Sequence, residues 1–202
     1  EHGLPPRAPT PAADDPRGRR VRWDPRGAEL VHVDAVIGTD ADQTAVTVGT
    51  LVREWRTGGR RYFQYRTETP LPFMNPYFSA RYAVRRGRWK DVALAVYHHP
   101  AHGVNVYRML AGMQASLDYY TAHFGPYPAR ELRILEFPRY ASFARAHPQN
   151  IAFGEGSAFL TRVNPGDVDR TFFVVAHETA HQWWGGQVRG AGVRGDAFLS
   201  ET

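Results

Sequence analysis

The chain has 202 residues, of which 43% are hydrophobic and 22% charged, a composition typical of a globular protein rather than a disordered, collagen-like or coiled-coil one. It contains no cysteine, which excludes disulfide frameworks and cysteine catalysis, so any metal site must be built from histidines and carboxylates. The formal net charge is +5, but its arginines are scattered rather than clustered, and we expect no nucleic-acid partner.

The first part of the chain predicts an arm followed by a β-sheet domain. Residues 1–27 hold six of the fifteen prolines and little apolar periodicity, which is typical of a linker or a loosely attached arm. From about residue 29 to residue 99, apolar and polar residues alternate between turn-forming glycines and prolines. We therefore predict an antiparallel β-sheet domain over residues 28–102.

A change of period marks a second domain, predicted over residues 103–202. Apolar residues recur at spacings of three and four from Val106 to about His123, which predicts an amphipathic helix. Strand-like segments follow at 132–137 and 151–160. A second helix is predicted to begin after an N-cap at Asp167 or Asp169 and to continue to Trp184.

The last predicted helix carries His177 and His181 four residues apart, with Glu178 beside them. Residues at this spacing lie ~40° apart around a helix and ~6 Å apart along it, so both imidazoles can reach one Zn²⁺. Glu178 projects about 100° away, which suits a general base better than a third ligand. Apolar flanks indicate a buried helix, which disfavours the alternative of ordinary surface histidines.

A third ligand is needed, and Glu201 is the candidate. It follows a glycine-rich connection, and Asp196 could cap a short helix whose Phe198 and Leu199 pack inward and return Glu201 to the metal. The alternative is a solvated helix carboxylate. Histidines are also dense at 98–102, but this loop lacks helical spacing and we do not expect it to bind metal.

The run from His177 to Gly185, together with the segment 199–202, resembles the zinc aminopeptidase family typified by aminopeptidase N. These enzymes are gluzincins with a thermolysin-like catalytic domain. Nineteen residues separate His181 from Glu201, where the family usually has about eighteen. The segments 42–43 and 135–144 are similar to a bacterial branch whose peptidase domain is joined to ABC-transporter-permease-like membrane segments.

The resemblance implies an α+β fold, in which an antiparallel β-sheet domain precedes the first part of a thermolysin-like metallopeptidase domain. It implies a Zn²⁺ cofactor, peptide substrates and a longer, membrane-associated bacterial parent. The chain begins at Glu1 without a signal-peptide pattern, has no run near the ~20 apolar residues of a membrane span, and stops at Thr202 within a predicted helix. We therefore expect a soluble fragment of a longer protein.

Two departures from the family limit what can be transferred. The family's Gly-x-Met-Glu-Asn motif, whose glutamate binds the substrate's α-amine, has as its positional counterpart only Phe153-Gly154-Glu155-Gly156. Glu155 is therefore either an amine-binding residue or a salt-bridged strand carboxylate, and its strand is a candidate edge for pairing with a peptide. The family's transition-state tyrosine would lie beyond Thr202, so we expect weak zinc binding and little activity from this chain.

Three functions remain open on the sequence. The favoured one is a zinc aminopeptidase, in which His177, His181 and Glu201 hold Zn²⁺, Glu178 is the general base and Glu155 orients the substrate's N-terminus. An endopeptidase with the same chemistry is the first alternative. The second is a catalytically silent zinc-binding or sensor domain of a membrane transporter.

Overall fold

The computed structural model of the chain describes residues 3, 5–6, 8–18, 30–72, 75–188 and 190–201. Within these ranges the strands are β1 (Leu30–Val31), β2 (Asp34–Asp40), β3 (Thr44–Val46), β4 (Thr50–Thr57), β5 (Arg60–Arg66), β6 (Leu71–Pro72), β7 (Phe78–Ala80), β8 (Ala83–Trp89), β9 (Val92–His98), β10 (Glu131–Phe137), β11 (Ala144–His147) and β12 (Asn150–Gly154). The helices are α1 (Val106–Phe124), α2 (Arg170–Ala180) and α3 (Phe198–Glu201), and a π-helical turn covers Glu155–Phe159. The end of the predicted arm at 19–27 and Thr202 lie outside the described residues.

A five-stranded mixed sheet forms the centre of the molecule, in the order β11–β12–β10–β9–β8. Strands β9, β10 and β12 run parallel, whereas β11 and β8 pair antiparallel at the two edges. Six of the seven residues of β10 are buried, as expected for a central strand covered on both faces.

Helices α1 and α2 cover one face of this sheet. The apolar stripe of α1 confirms its predicted period, because Met109, Met113 and Leu117 are fully buried against the sheet. The two helices approach closely at Gly112, where a Cβ atom would lie 3.0 Å from Cγ1 of Val175. Helix α2 is therefore fixed between its helical neighbour and the sheet.

The strands of the first half of the chain cover the opposite face. They form an antiparallel β2–β5–β4 sheet and two-stranded pairs β1–β6 and β3–β7. Phe63 and Tyr65 from β5 join Val46 in a cluster that packs against Tyr97 and Leu135 of the central sheet. The predicted α+β class with antiparallel sheets in the first half is confirmed.

A buried arginine links the two halves. Arg133 on β10 is 2% exposed, and its guanidinium donates hydrogen bonds to the backbone oxygens of Thr47 and Gly49 at 3.2 and 2.8 Å. It also donates to the Asn150 side-chain oxygen and pairs with the Glu131 carboxylate. Because the Arg133 guanidinium is buried, these hydrogen bonds fix the position of the 47–49 segment of the first half on the central sheet.

The central sheet crosses the boundary predicted between residues 102 and 103. Strands β8 and β9 lie before that boundary, yet β9 pairs with β10 beyond it. We therefore propose that the second domain begins near residue 82, before β8. The division of the chain into domains stays a prediction. Among the described residues, no helix combines the length and apolar character needed to cross a bilayer.

Part of the predicted arm contacts the glycine-rich connection. The backbone N–H of Arg194 donates to the backbone oxygen of Pro11 at 2.9 Å. Gly18 is buried, and a Cβ atom at this position would lie 2.9 Å from Cγ1 of Val193. The described residues around 11–18 are thus packed against the segment that leads to Glu201, and this part of the arm is not loosely attached.

Candidate metal centre

Helix α2 carries the two histidines, and interactions between residues close in sequence determine where it begins and ends. Asp169, one of the two predicted caps, accepts a hydrogen bond from the Phe172 backbone N–H at 2.9 Å and pairs with Arg108. The helix ends at Ala180, four residues earlier than predicted. His181 continues in the right-handed helical region, so the spacing from His177 is retained.

The chain tightens after Ala180 and does not continue as a regular helix to Trp184. The Gln182 and Trp183 backbone N–H groups donate to oxygens only three residues earlier. Gly185 then takes a φ of 83°, which an L side chain rarely adopts, and turns the chain away. The predicted glycine stop is therefore correct, although the regular helix ends before it.

The three predicted ligands come together in the structure. Nε2 of His177 and Nε2 of His181 are 3.2 Å apart. A Glu201 carboxylate oxygen lies 3.9 Å from the first nitrogen and 3.8 Å from the second. Ligand atoms bound tetrahedrally to zinc are separated by about 3.3 Å, so the set fits this ion with small side-chain adjustments. Two imidazoles and one carboxylate are also the donors that zinc hydrolases use.

A backbone contact at His181 and the burial of His177 favour the forms of the two imidazoles that can bind a metal. Nδ1 of His181 lies 3.2 Å from the backbone oxygen of Trp184, and donation from Nδ1–H leaves Nε2 directed at the other ligands. Burial, and then the neighbouring His181, lower the pKa of His177, although Glu201 opposes this. A lowered pKa favours the neutral imidazole, which is the form that binds metals.

Glu178 lies beside the ligand atoms without joining them. The residue is 6% exposed, and burial is the main cause that raises the pKa of its carboxyl group. The nearby backbone of Ala146 in strand β11 opposes this rise in pKa. A buried carboxylate with a raised pKa beside three candidate metal ligands is the arrangement that a general base requires, and this role of Glu178 stays a prediction.

The approach of Glu201 differs from the expected one. Phe198 is 71% exposed and Leu199 is also exposed, so the prediction that they pack inward is wrong. The Asp196 side chain accepts a hydrogen bond from the Gly192 backbone N–H, and its backbone oxygen accepts from the Leu199 N–H at the start of α3. The glycine-rich connection, rather than apolar packing of α3, thus places Glu201, whose side chain is 65% exposed.

Glu155 lies elsewhere than predicted. The strand expected over 151–160 ends at Gly154, and Glu155 begins the π-helical turn. The amide of Asn105 holds this turn by donating to the backbone oxygens of Ala158, Phe159 and Thr161. Because this partner comes from a loop about fifty residues earlier, no local pattern could indicate the turn.

The strand next to Glu155 is also not an edge. Strand β12 lies between β10 and β11, so the prediction that it pairs with an extended peptide is wrong. Strand β11 occupies the sheet edge instead, and it is the strand that contacts Glu178. An extended peptide that adds to the sheet beside the metal centre would therefore pair with β11.

Gln182, for which the sequence predicts no role, supports the centre from beside His181. Its side-chain oxygen accepts from the Gln149 backbone N–H at 3.0 Å, and its amide donates to the His147 backbone oxygen at 3.0 Å. It is buried and lies directly after His181, just beyond the end of α2. Its position next to His181 was the signal that could have identified it.

Comparisons with known proteins support the fold. No protein-family model and no curated protein matches the chain. Among solved structures, the chain is similar to the M1 zinc metallopeptidase from Deinococcus radiodurans, with a TM-score of 0.69 and 20% identity over 87% of this chain. The chain spans 39% of the length of that protein. A likeness at this identity shows a shared fold, which agrees with the α+β architecture described above.

Proposed function

We propose that this chain is the metal-binding part of a zinc-dependent peptidase. The observation that supports this most directly is the approach of His177, His181 and Glu201 to within 4.8 Å of one another, with Glu178 buried beside them. The similar M1 zinc metallopeptidase fold is consistent with this function. Since the chain spans 39% of that protein, the activity is proposed for the longer protein to which this chain corresponds.

In this function, His177, His181 and Glu201 would hold a Zn²⁺ ion, and a bound ion would supply polarisation of the scissile carbonyl and a lower pKa for the attacking water. Glu178 takes a proton from the water on its carboxylate and passes it to the leaving amine. Burial raises the pKa of the Glu178 carboxyl group, which favours its role as a proton carrier.

The zinc site is tested by metal content. The wild-type chain should bind Zn²⁺ in isothermal titration after removal of adventitious metal, while His181→Asn and Glu201→Gln should each weaken binding by at least about tenfold. The loss of an outer partner alone costs about 10–100-fold, and the loss of a ligand should cost no less. His123→Asn, which changes an exposed histidine on α1, is the control. Unchanged zinc affinity in both ligand variants would contradict the site.

Peptide hydrolysis is tested on the longer protein. Glu178→Gln should abolish turnover but leave zinc content unchanged, because it removes the proton acceptor and keeps the ligands. An unmodified longer protein that binds zinc and hydrolyses no peptide would instead indicate a silent or sensor domain.

Aminopeptidase specificity is the finer proposal. It assigns Glu155 to the substrate's α-ammonium group and rests on the resemblance alone. Peptides with a free N-terminus should then be cleaved and the same peptides with an acetylated N-terminus should not. Equal cleavage of both would indicate an endopeptidase. The resemblance to the permease-linked branch further supports a membrane-associated bacterial protein as the context of this chain.

A further inference from the structure

The loops that follow three neighbouring parallel strands meet at one edge of the central sheet. His102 lies in the loop after β9, Glu136 is near the end of β10, and Glu155 directly follows β12. Strands β9, β10 and β12 are adjacent and parallel, so their carboxyl ends share one edge. This is the edge at which sheets of parallel strands commonly build ligand sites.

At this edge, one potential ligand atom from each of His102, Glu136 and Glu155 lies within 4.8 Å of the other two. The side chain of Glu136 is 4% exposed. One of its oxygens accepts from the His99 backbone N–H at 2.6 Å, and the other bonds Nδ1 of His102. We refer to His102, Glu136 and Glu155 as the strand-end cluster; it shares no residue with the centre on α2 and α3.

The strand-end cluster joins two carboxylates with only one histidine to balance them. Among the described residues, no arginine or lysine lies within ion-pair distance of Glu136 or Glu155, and Arg139, which packs near Gly156, pairs with neither. Two carboxylates at such short range repel each other unless a proton or a cation lies between them. Removal of Glu136 from water increases this repulsion.

The cluster is held in place by the surrounding fold. Asn105, three residues after His102, is buried and binds the π-helical turn that begins at Glu155 through three backbone oxygens. Thr171 of α2 donates to one of the same oxygens. The loop carrying His102 and the turn carrying Glu155 are thus tied to each other. Single π-helical turns of this kind occur frequently at functional sites.

We propose that His102, Glu136 and Glu155 form a second binding site, for a divalent cation. One imidazole and two carboxylates are a mixed nitrogen and oxygen donor set, which suits Zn²⁺ or Mn²⁺ better than Mg²⁺ or Ca²⁺. The positive charge of the cation offsets the repulsion between the two carboxylates. The remaining coordination positions are filled by water.

This site and the amine-binding role assign different occupants to Glu155. A carboxylate that ligates a cation is not free to bind a substrate ammonium group. The two assignments are therefore alternatives, and a measurement of metal binding without substrate separates them.

The test uses a background from which the α2 centre has been removed. The wild-type chain, freed of metal and dialysed against Zn²⁺ or Mn²⁺, should hold two equivalents of the metal. The double variant that carries His177→Asn and His181→Asn, which is the background chain, should hold one equivalent. On that background, Glu155→Gln and His102→Asn should each weaken the remaining binding by at least about tenfold. Co²⁺ bound to the background chain should give visible absorption bands that both variants lose.

Matched controls change the same residue types away from the cluster. Glu68→Gln alters an exposed glutamate and His123→Asn an exposed histidine, and both should leave the remaining equivalent in place. Glu136→Gln is avoided as the main variant because its buried side chain also anchors the His99 backbone. Circular dichroism of each variant verifies that the fold is intact.

The possible outcomes separate this proposal from the proposed function. If the wild-type chain holds one equivalent of metal and the double variant holds none, the second site is overturned and the zinc centre on α2 and α3 is retained. A background chain whose remaining metal is unaffected by Glu155→Gln and His102→Asn also overturns it. If, in the longer protein, Glu155→Gln raises only the KM for peptides with free N-termini, Glu155 binds the amine and the cation site is rejected.

Discussion

Glu178 and Gln182 show how single side chains fix the metal helix to the sheet. Glu178 is on α2 and Gln182 lies four residues later, just beyond the end of the helix at Ala180. Glu178 interacts with the backbone of Ala146 in β11, while the Gln182 side chain bonds the backbone of His147 and Gln149. The residue assigned to proton transfer is therefore held on the same side of the helix that docks on the sheet edge.

His147, at the end of β11, should make stability depend on pH. Burial, reinforced by Arg145, lowers the pKa of His147 to about 4, so the folded chain keeps it neutral. In the unfolded chain it takes up a proton below about pH 6.5. Stability should therefore fall by up to about 3 kcal/mol as the pH decreases from about 6.5 to about 4.

The variant His147→Gln should remove this part of the pH dependence. Urea unfolding at about pH 7 and about pH 4.5 would measure the difference for wild type and variant. His123→Gln, at an exposed histidine, should keep the wild-type dependence. An unchanged dependence in His147→Gln would show that other groups cause it.

Strand β10 joins the two halves through Arg133. Arg133→Met should cost about 3–5 kcal/mol, because it leaves buried oxygens and the Glu131 carboxylate without their donor. Urea unfolding measures the loss. Arg130→Met, which removes an exposed ion pair with Glu68, should change stability by less than about 1 kcal/mol. A similar small change in Arg133→Met would mean that the apolar cluster alone holds the halves together.

The elements that the sequence predicted correctly are those with local causes. The stripe on α1, the Asp169 cap and the single turn between His177 and His181 each depend on residues within a few positions of one another. The antiparallel strands of the first half also followed from local alternation and turn residues. Their pattern could therefore be recognised without knowledge of the fold.

The elements that the sequence did not predict depend on distant partners. Glu155 leaves the strand because Asn105 binds the turn from another part of the chain. Strand β12 is interior because β11 returns to pair with it, and periodicity does not distinguish an interior strand from an edge. The strand-end cluster contains His102, Glu136 and Glu155, which lie at or after the ends of three different strands. They are neighbours only because these strands are adjacent in the sheet.

On the scale of the whole molecule, the sheet shared by both halves should make residues 103–202 unable to fold alone. That segment lacks β9, so one side of β10 would lose its hydrogen-bonding partner, and Leu135 would lose its cover. We expect residues 103–202 to lack the dispersed amide NMR spectrum of the full chain. A native-like spectrum from this segment would support the boundary between residues 102 and 103.

The long reach of Arg133 has a consequence for folding kinetics. Its bonds to Gly49 and Thr47 join positions 84 and 86 residues apart, and the parallel β9–β10 pair must close across α1. Such non-local contacts are slow to form, so sheet assembly should limit the folding rate. Because α2 docks on the finished edge at β11, ion capture by the full ligand set comes after that step. Zinc should therefore slow unfolding in stopped-flow measurements while leaving the refolding rate nearly unchanged.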